Sequence, residues 1–525
     1  MPQFNDSHFP PLPTRRNSCK DQKNANGIAQ EEARSNLEAF ATIIDLPDEL
    51  LVNILDYLPG IHDWDNLDPG RDFTKHKAAS LLSLSRTNRC FHRLVAEKLY
   101  RTFDSYWCEP YLFLRTITSN AHLAKLVQTA SFHGGPDNRK RHTASAQDKK
   151  IIKEGLKSLG TPGWKTWATD CNDDHAEVES LFLAILAQTP NISVISSSAG
   201  TLQYIGFLKR ANRRFSLGSM HQFRNLRKLS IAANGLDISQ LAPIFRTPSL
   251  RDLKLDRLVA YDFGSATGRA DLSLPHLMPA RCNNLEELYL TYSFVHPDVL
   301  GVMVAASRSL RIFHYEMELD TFEVGHEPEL YSTKIDSILR CQISSLESLS
   351  LATNLGFGDS LRDPLTLREG LRDFTTLTYF RCPIGTIVDR EHASSDRLAD
   401  KLPQGLETLR ITLCYENDTV DFDAIPALEH MADTYAYDPP AHLKELKIMV
   451  FGSWHATYDW ARITEPLSQT GINVVIDEEE GDDEGGVWAD YPSENDEGSP
   501  SFSDDTTSTN SSDEVSLYSH SEEGA

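Results

Sequence analysis

A short apolar motif that returns eight times between Leu226 and Ile448 constrains the fold more than any other part of the sequence. In each copy, an apolar residue is followed three and five positions later by two more. The copies begin at Leu226, Leu250, Leu285, Leu310, Leu346, Leu377, Leu406 and Leu443, and successive starts lie 24 to 37 residues apart. Because side chains alternate along a β-strand, the last two apolar residues of a copy share one face. We therefore predict one short strand for each copy.

The segments between the copies have helical spacing. We expect helix-like segments at 238–246, 297–307, 333–341 and 367–374. A weaker copy lies at Ile192–Ile195, Gly471–Ile476 would close the series, and residues 123–127 are expected to form a strand ahead of it. The spacing resembles that of long, irregular leucine-rich repeats, which implies an α/β solenoid from about residue 104 to 476. The alternative is a generic α/β domain with leucine-rich strands.

Residues that alternate with the apolar positions belong to the opposite face of each strand, where a partner would bind. On this register the candidate target-binding residues are Lys228, Lys254, Glu287, Tyr289, His314, Glu316, Tyr379, Arg381, Arg410 and Lys447. Their mixture of charges favours recognition of a specific protein surface over binding of a uniform polyanion. For any single residue, the alternative is a solvated sheet face with no binding role.

Upstream of the repeats, Asp45–Leu58 has a clear amphipathic helical pattern. Pro47 suits the first helical turn, and Asp48 and Glu49 suit the positive end of the helix dipole. Apolar residues then recur at spacings of three and four on one broad face: Leu50, Leu51, Ile54, Leu55 and Leu58. Pro59-Gly60 ends the helix. Burial of one aliphatic side chain is worth roughly 1.5–3 kcal/mol, so this face belongs either to an ordinary core or to a docking surface.

Two further helical segments follow this helix. Residues 78–85 form an apolar run, and Thr87 or Asn88 is suited to cap a third helix. One face of that helix carries Phe91, Leu94, Val95, Leu99 and Tyr100. The 18 residues from Gly60 to Lys77 are predicted to be a loop. Three short helices have little core of their own, so we expect the unit to need support from its neighbours or from a partner.

These three segments resemble an F-box. The match consists of Leu46-Pro47-x-x-Leu50, Ile54-Leu55 and Leu58-Pro59, then Leu81-Leu82-x-Leu84-Ser85, then Asn88-Arg89-x-Phe91-x-x-Leu94-Val95. It covers about residues 44–103 and departs from the family in the long Gly60–Lys77 insertion. The resemblance implies docking on the adaptor subunit of a cullin-RING (SCF-type) ubiquitin ligase, and through it on cullin. The adaptor-binding set that it implies is Leu46, Pro47, Leu50, Leu51, Ile54, Leu55, Leu58, Leu82, Leu84, Phe91 and Leu94.

Together, the two resemblances imply a mixed α+β and α/β fold. An N-terminal three-helix F-box over 41–103, with its loop insertion at 60–77, would precede an irregular leucine-rich-repeat solenoid over 104–476. The implied function is recognition of a protein substrate for a ubiquitin ligase, without bond chemistry by this chain, so we do not expect an enzyme. The alternative is an F-box protein with a non-proteolytic scaffold or interaction role.

Both ends of the sequence, 1–40 and 477–525, are expected to be disordered. The second holds 17 Asp and Glu and no Lys or Arg, so it accounts for −17 of the net charge of −25 and leaves −8 for the other residues. Acidic residues follow Ser511 and Ser521, as acid-directed kinases prefer. The tail is therefore either a phosphorylation-tunable interaction segment or a solvated tail that aids solubility.

No cofactor or metal pattern appears in the sequence. The 8 cysteines lie far apart without a Cys-x-x-Cys pair, which indicates a reduced compartment, cytoplasmic or nuclear. No apolar run approaches the ~18 residues of a membrane span, so no membrane partner is expected. Basic clusters at 139–141 with 149–150 and at 209–214 suit nucleic acid, nuclear import or a solvated loop. Because the remainder of the chain is also net acidic, nucleic acid is not the expected partner.

Overall fold

The computed structural model describes Ile43 and residues 46–56, 80–106, 108–133, 144–160, 163–173, 178–197, 223–234, 236, 238–260, 274–318, 333–354, 365–367, 371–388, 397–413, 424–451 and 458–479. Several predicted features lie outside these residues: the N-terminal segment 1–40, Leu58, the Gly60–Lys77 insertion, the basic clusters at 139–141 and 209–214, and the acidic tail beyond residue 479. The tail was expected to begin at residue 477, but residues 477–479 are the end of a strand. Within the described ranges, no helix combines the length and the apolar character needed to cross a bilayer.

The first described helices lie between residues 48 and 101. Helix α1 spans Asp48–Asp56, residues 80–85 are helical, and α2 spans Arg89–Arg101. Asn88 caps α2 as predicted, because its side chain accepts a hydrogen bond from the Phe91 N–H at 2.8 Å. Helix α2 continues without a linker into the first strand, β1 (Thr102–Asp104).

A large parallel sheet dominates the rest of the described chain. Its strands follow one another in chain order, except that one short strand pairs only with the strand that comes after it, and the sheet does not close on itself. The further strands are β2 (Thr129–Phe132), β3 (Val194–Ser197), β4 (Lys228–Ala232), β5 (Asp252–Asp256), β6 (Val259–Ala260), β7 (Glu287–Val295), β8 (Ile312–Glu318), β10 (Ser348–Asn354), β12 (Tyr379–Pro383), β13 (Thr408–Leu413), β14 (Glu445–Phe451) and β15 (Asn473–Glu479). Two short strands, β9 (Thr333–Lys334) and β11 (Leu365–Thr366), form a separate parallel pair.

Helices occupy the connections that parallel strands require. They are α3 (Pro110–Ser119), α4 (Ala121–Leu126), α5 (Ala146–Ser158), α6 (Trp164–Asn172), α7 (Val178–Gln188), α8 (Ile238–Phe245), α9 (Leu274–Leu277), α10 (Pro297–Ala306), α11 (Ile335–Leu339), α12 (Ile384–Ile387), α13 (Leu398–Lys401), α14 (Ile425–Tyr437) and α15 (Ala461–Ser468). The helices at 238–245 and 297–306 confirm two of the predicted helical segments. The fold is therefore a mixed α/β fold with one large parallel sheet.

The eight predicted copies form eight strands of this sheet in a single register. The middle apolar residues of the copies pair from strand to strand in the order Leu229, Leu253, Leu288, Phe313, Leu349, Phe380, Leu409 and Leu446. All eight side chains are buried and share one continuous core with the helices. The first and last apolar residues of every copy are buried as well, so the three apolar positions of each copy and the connecting helices together form the interior.

Charged residues that directly precede the strands pair across neighbouring strands. Arg251 Nε lies 3.3 Å from Glu286 Oε1, and Lys444 Nζ lies 2.7 Å from Glu407 Oε2. Arg311 donates two hydrogen bonds to Glu347, at 2.8 and 2.7 Å. These hydrogen bonds and the charge of Arg311 hold the pKa of Glu347 below its ordinary value. The cross-strand pairs favour the observed register at the edge where the strands begin.

The strand expected at 123–127 is wrong. Residues Ala121–Leu126 form helix α4, because the Asn120 side chain caps it by accepting hydrogen bonds from the N–H groups of His122 and Leu123. The second strand of the sheet is Thr129–Phe132, directly after this helix.

Two of the expected helices also need correction. The described part of the segment at 367–374 is a turn over residues 371–374, where the Phe374 N–H donates to the Leu371 carbonyl at 2.9 Å. The segment at 333–341 is divided between strand β9, helix α11 and a 3₁₀ turn at Arg340–Gln342.

Candidate functional site

A second core, separate from that of the sheet, lies between α1, the helical residues 80–85 and α2. Its buried members are Leu51, Leu55, Leu81, Phe91, Leu94 and Val95. Leu46, Val52, Leu84, Cys90 and Leu99 pack against it from the sides. Six buried side chains form a small core, and units with so little buried area are marginally stable alone.

Helix α1 divides its apolar residues between this core and the outside. Leu51 and Leu55 are four residues apart, share the buried side of the helix, and are 0% and 1% exposed. Leu50 and Ile54 occupy the adjoining side and are 48% and 42% exposed. Among the described residues, the large aliphatic side chains with this much exposure are Ile43, Leu50 and Ile54. The exposed apolar pair, Leu50 and Ile54, is therefore an unusual feature of this molecule.

The first turn of α1 is held against α2 by polar contacts. Arg93 of α2 forms an ion pair with the Asp48 carboxylate, and this hydrogen bond raises the pKa of Arg93. Cys90 Sγ lies 3.9 Å from Asp48 Oδ1. These contacts fix the direction of α1, and with it the side on which the exposed apolar pair lies.

Helix α2 belongs to both cores. Leu99 packs against the small core, whereas the next residue, Tyr100, packs against the core of the sheet. The Tyr100 ring stacks on Phe113 with 6.0 Å between the ring centroids. Because Arg101 is followed directly by β1, the helical unit and the first strand have no flexible residue between them.

The predicted adaptor-binding residues fall into three groups. Leu51, Leu55, Phe91 and Leu94 are buried and hold the unit together. Leu46, Leu82 and Leu84 are half-buried, and Pro47, Leu50 and Ile54 are exposed. Ile43, 50% exposed, was missed because it precedes the Leu-Pro motif; its apolar character is the only signal in the sequence. Only the exposed and half-buried groups can contact a partner.

The predicted target-binding residues lie on the face of the sheet opposite the buried leucine row. Two polar columns cross this face, which we call the polar sheet face. The first column contains Lys228, Asp252, Glu287, Ile312, Ser348, Tyr379, Thr408 and Glu445, and the second contains Ser230, Lys254, Tyr289, His314, Ser350, Arg381, Arg410 and Lys447. The strand register therefore brings residues far apart in the sequence into one surface.

On strands β4 to β8, the polar sheet face largely satisfies itself. Lys228 Nζ lies 2.9 Å from Asp252 Oδ2, and the Tyr289 hydroxyl donates to Glu287 Oε2 at 3.0 Å. His314 Nε2 lies 3.9 Å from Glu316 Oε2. These contacts explain the mixture of charges in the first half of the face without requiring a ligand.

On strands β12 to β14, basic side chains predominate in the second column. The Arg410 guanidinium lies over the Tyr379 ring, 5.4 Å from its centroid. Arg410 also approaches Glu445, at 4.0 Å, and Lys447 pairs with Asp477. Arg381, between Ser350 and Arg410, has no ion-pair partner among the described residues.

A bulge in strand β7 places one aromatic side chain outward. The register between β7 and β8 shifts between Leu290 and Ser293, and Tyr292 within this stretch has a φ of 47° and is 36% exposed. The negative charge of nearby Glu316 raises the pKa of Tyr292, and partial burial of the side chain raises it further. Sequence reasoning missed this residue, because the Leu285 copy gives no sign of an extra residue in the strand.

No protein-family model matches the chain, and no curated protein matches it in sequence. Among the described residues, no group of three or more His, Cys, Asp and Glu side chains could hold a metal ion. A functional interpretation must therefore rest on the two surfaces themselves: the exposed apolar pair and the polar sheet face.

Proposed function

We propose that this protein is the substrate-recognition subunit of an SCF-type ubiquitin ligase. In this proposal α1, the helical residues 80–85 and α2 are an F-box that docks on the adaptor, and the sheet is an irregular leucine-rich-repeat solenoid that binds a target protein. The exposed apolar pair, Leu50 and Ile54, carries the proposal. It lies on α1, which directly follows Leu46-Pro47, beside a core of only six buried side chains.

The energetics of the apolar pair support a docking role. Covering two large aliphatic side chains contributes roughly 1.5–3 kcal/mol each, relative to leaving them in water. The same helix already uses Leu51 and Leu55 for its own core, so Leu50 and Ile54 are not needed for folding. Exposed apolar side chains that have no role in the fold are typical of partner-binding surfaces.

The continuity of α2 with β1 suits a mechanism of catalysis by proximity. A rigid link between the adaptor-binding unit and the sheet would hold a bound target at a fixed distance from a ubiquitin-loaded conjugating enzyme. The effective concentration of an acceptor lysine would rise, although this chain would perform no bond chemistry.

Adaptor binding by the double variant L50D/I54D tests the proposal. Substitution of a central, well-buried contact residue typically weakens the binding free energy by about 2 kcal/mol or more. We therefore expect the affinity of L50D/I54D for purified SCF adaptor to fall by at least about thirtyfold. Tyr437→Asp is the matched control, since Tyr437 is also an exposed large side chain, 93% exposed, but lies on α14. Unchanged adaptor affinity of L50D/I54D, with Y437D behaving alike, would contradict the F-box assignment.

A second experiment separates a ligase subunit from a scaffold with no role in degradation. Ubiquitinated proteins are quantified by mass spectrometry in cells that express either the intact chain or L50D/I54D. A ligase subunit requires at least one protein whose ubiquitination depends on the intact apolar pair. If the chain binds the adaptor but no protein requires the apolar pair for its ubiquitination, the result favours the scaffold role over the ligase role.

A further inference from the structure

Three basic side chains occupy neighbouring positions on the polar sheet face. Arg381, Arg410 and Lys447, here called the basic row, stand at matched positions of β12, β13 and β14. Neighbouring strands lie about 4.8 Å apart, so the row extends over roughly 10 Å. Such a row is not expected from folding alone, because like charges directly opposite each other across strands are destabilising.

Among the described residues, the basic row is closely paired at one end only. Lys447 pairs with Asp477, whereas the ion-pair contact that the described residues offer Arg410 is Glu445, at 4.0 Å. The Nε atoms of Arg381 and Arg410 are covered but have no hydrogen-bond acceptor in the described part of the chain. As whole residues, Arg381 and Arg410 are half-buried. The two arginines are therefore the least satisfied charges of the row, and they lie side by side.

The stacking of Arg410 on Tyr379 fixes one of these charges in place. A guanidinium that is already ordered loses less conformational entropy when it binds an anion. Arg381 and Arg410 lie opposite each other on paired parallel strands, so the sheet holds their backbones side by side. The basic row is thus a preorganised set of donors for an anionic ligand.

We infer that the basic row binds a run of acidic residues, Asp or Glu, in an extended segment of the target protein; this rests on the polar sheet face being the target-binding surface proposed above. The linear arrangement of the basic row favours a series of carboxylates over a single phosphate. A row spread over roughly 10 Å matches about three residues of extended chain at about 3.3 Å each. A single phosphate concentrates its charge at one point and would leave one end of the row without an anion.

A direct binding measurement tests this inference. The probe is a fluorescein-labelled twelve-residue peptide with four central glutamates in a Gly-Ser frame, and the full chain is titrated into it at low salt. The reference peptide has glutamine in place of each glutamate, and a third peptide has one central phosphoserine. We expect the glutamate peptide to bind at least about tenfold more tightly than the glutamine peptide, with affinity falling as salt is raised.

The double variant R381Q/R410Q should lose about tenfold or more of the affinity for the glutamate peptide. The double variant K153Q/K157Q is the matched control, because it removes two charges from exposed positions of helix α5, outside the polar sheet face. We expect K153Q/K157Q to change the affinity less than about twofold. Removing two neighbouring like charges should not unfold the sheet, and the salt dependence of the unmodified chain is a second readout that needs no variant.

Several results would overturn the inference. These are equal binding of the glutamate and glutamine peptides, no loss of affinity in R381Q/R410Q, an equal loss in K153Q/K157Q, or tighter binding of the phosphoserine peptide than of the glutamate peptide. The adaptor-binding test is independent, since R381Q/R410Q should keep adaptor affinity and L50D/I54D should keep peptide affinity. Failure of the peptide experiment therefore leaves the F-box assignment standing, and failure of the adaptor experiment leaves the peptide result standing.

Discussion

The helical unit at residues 46–101 and the parallel sheet use their apolar residues in opposite ways. The sheet encloses its apolar rows in one continuous core and presents charged and polar side chains on the other face. The helical unit has a core of six buried residues, yet it leaves Leu50 and Ile54 half in water. The difference separates a region that is stabilised by its own packing from a region whose packing is incomplete without a partner.

The largest loss of stability is expected from a substitution that leaves a cavity in the core of the sheet. Phe313 is the second residue of β8, belongs to the buried row of middle apolar residues, and is 0% exposed. We expect Phe313→Ala to lower the free energy of unfolding by about 3–5 kcal/mol, because it removes transfer energy and leaves a cavity. Urea denaturation followed by circular dichroism measures this. A loss below about 1 kcal/mol would show that the sheet is less tightly packed than its core indicates.

A smaller and more local effect is expected in the helical unit. Leu51→Ala should destabilise α1 and α2 by about 2–5 kcal/mol, whereas Leu50→Ala should change stability by less than about 0.5 kcal/mol. Hydrogen exchange should show faster exchange in 48–56 and 89–98 for L51A, with the strands of the sheet unchanged. The two variants remove the same side chain from adjacent positions, so similar effects would contradict the division of α1 into a buried and an exposed side.

The smallest effect concerns pH. The hydrogen bonds from Arg311 lower the pKa of Glu347 in the folded state, so this carboxylate favours folding above its ordinary pKa. The contribution is lost as the pH falls through the ordinary value and then through the lowered folded value. Glu347→Gln should therefore reduce the loss of stability on acidification, most clearly below the ordinary pKa of glutamate. Thermal unfolding of both proteins across this range measures the difference; identical pH profiles would show that the pair contributes nothing.

Much of the sheet could be predicted from the sequence, because each strand carries the same apolar spacing. The row from Leu229 to Leu446 is a direct consequence of that repetition. The strand at Thr129–Phe132 lacks the motif and was missed, while the apolar residues of the preceding helix imitated a strand. A helix of six residues has too few turns for its periodicity to be distinguished from that of a strand.

The candidate surfaces could be predicted only in part. Periodicity identifies the apolar side of α1. Which half of that side is buried depends on how α2 and residues 80–85 pack against it, so the sequence did not show that Leu51 is buried and Leu50 exposed. Alternation along the strands identified Arg381 and Arg410 as surface residues. That they are neighbours follows from the pairing of β12 with β13, as in the predicted solenoid, whereas the contact of Arg410 with the Tyr379 ring could not be predicted from the spacing.

The most direct test of this account is hydrogen exchange on the full chain with and without purified SCF adaptor. We predict slower exchange in residues 46–56 and 80–101 when the adaptor is present, and unchanged exchange in strands β4 to β14. That result would locate the partner on the region whose packing is incomplete. Unchanged exchange in 46–56, or protection confined to the sheet, would contradict the central claim that α1 is the docking element.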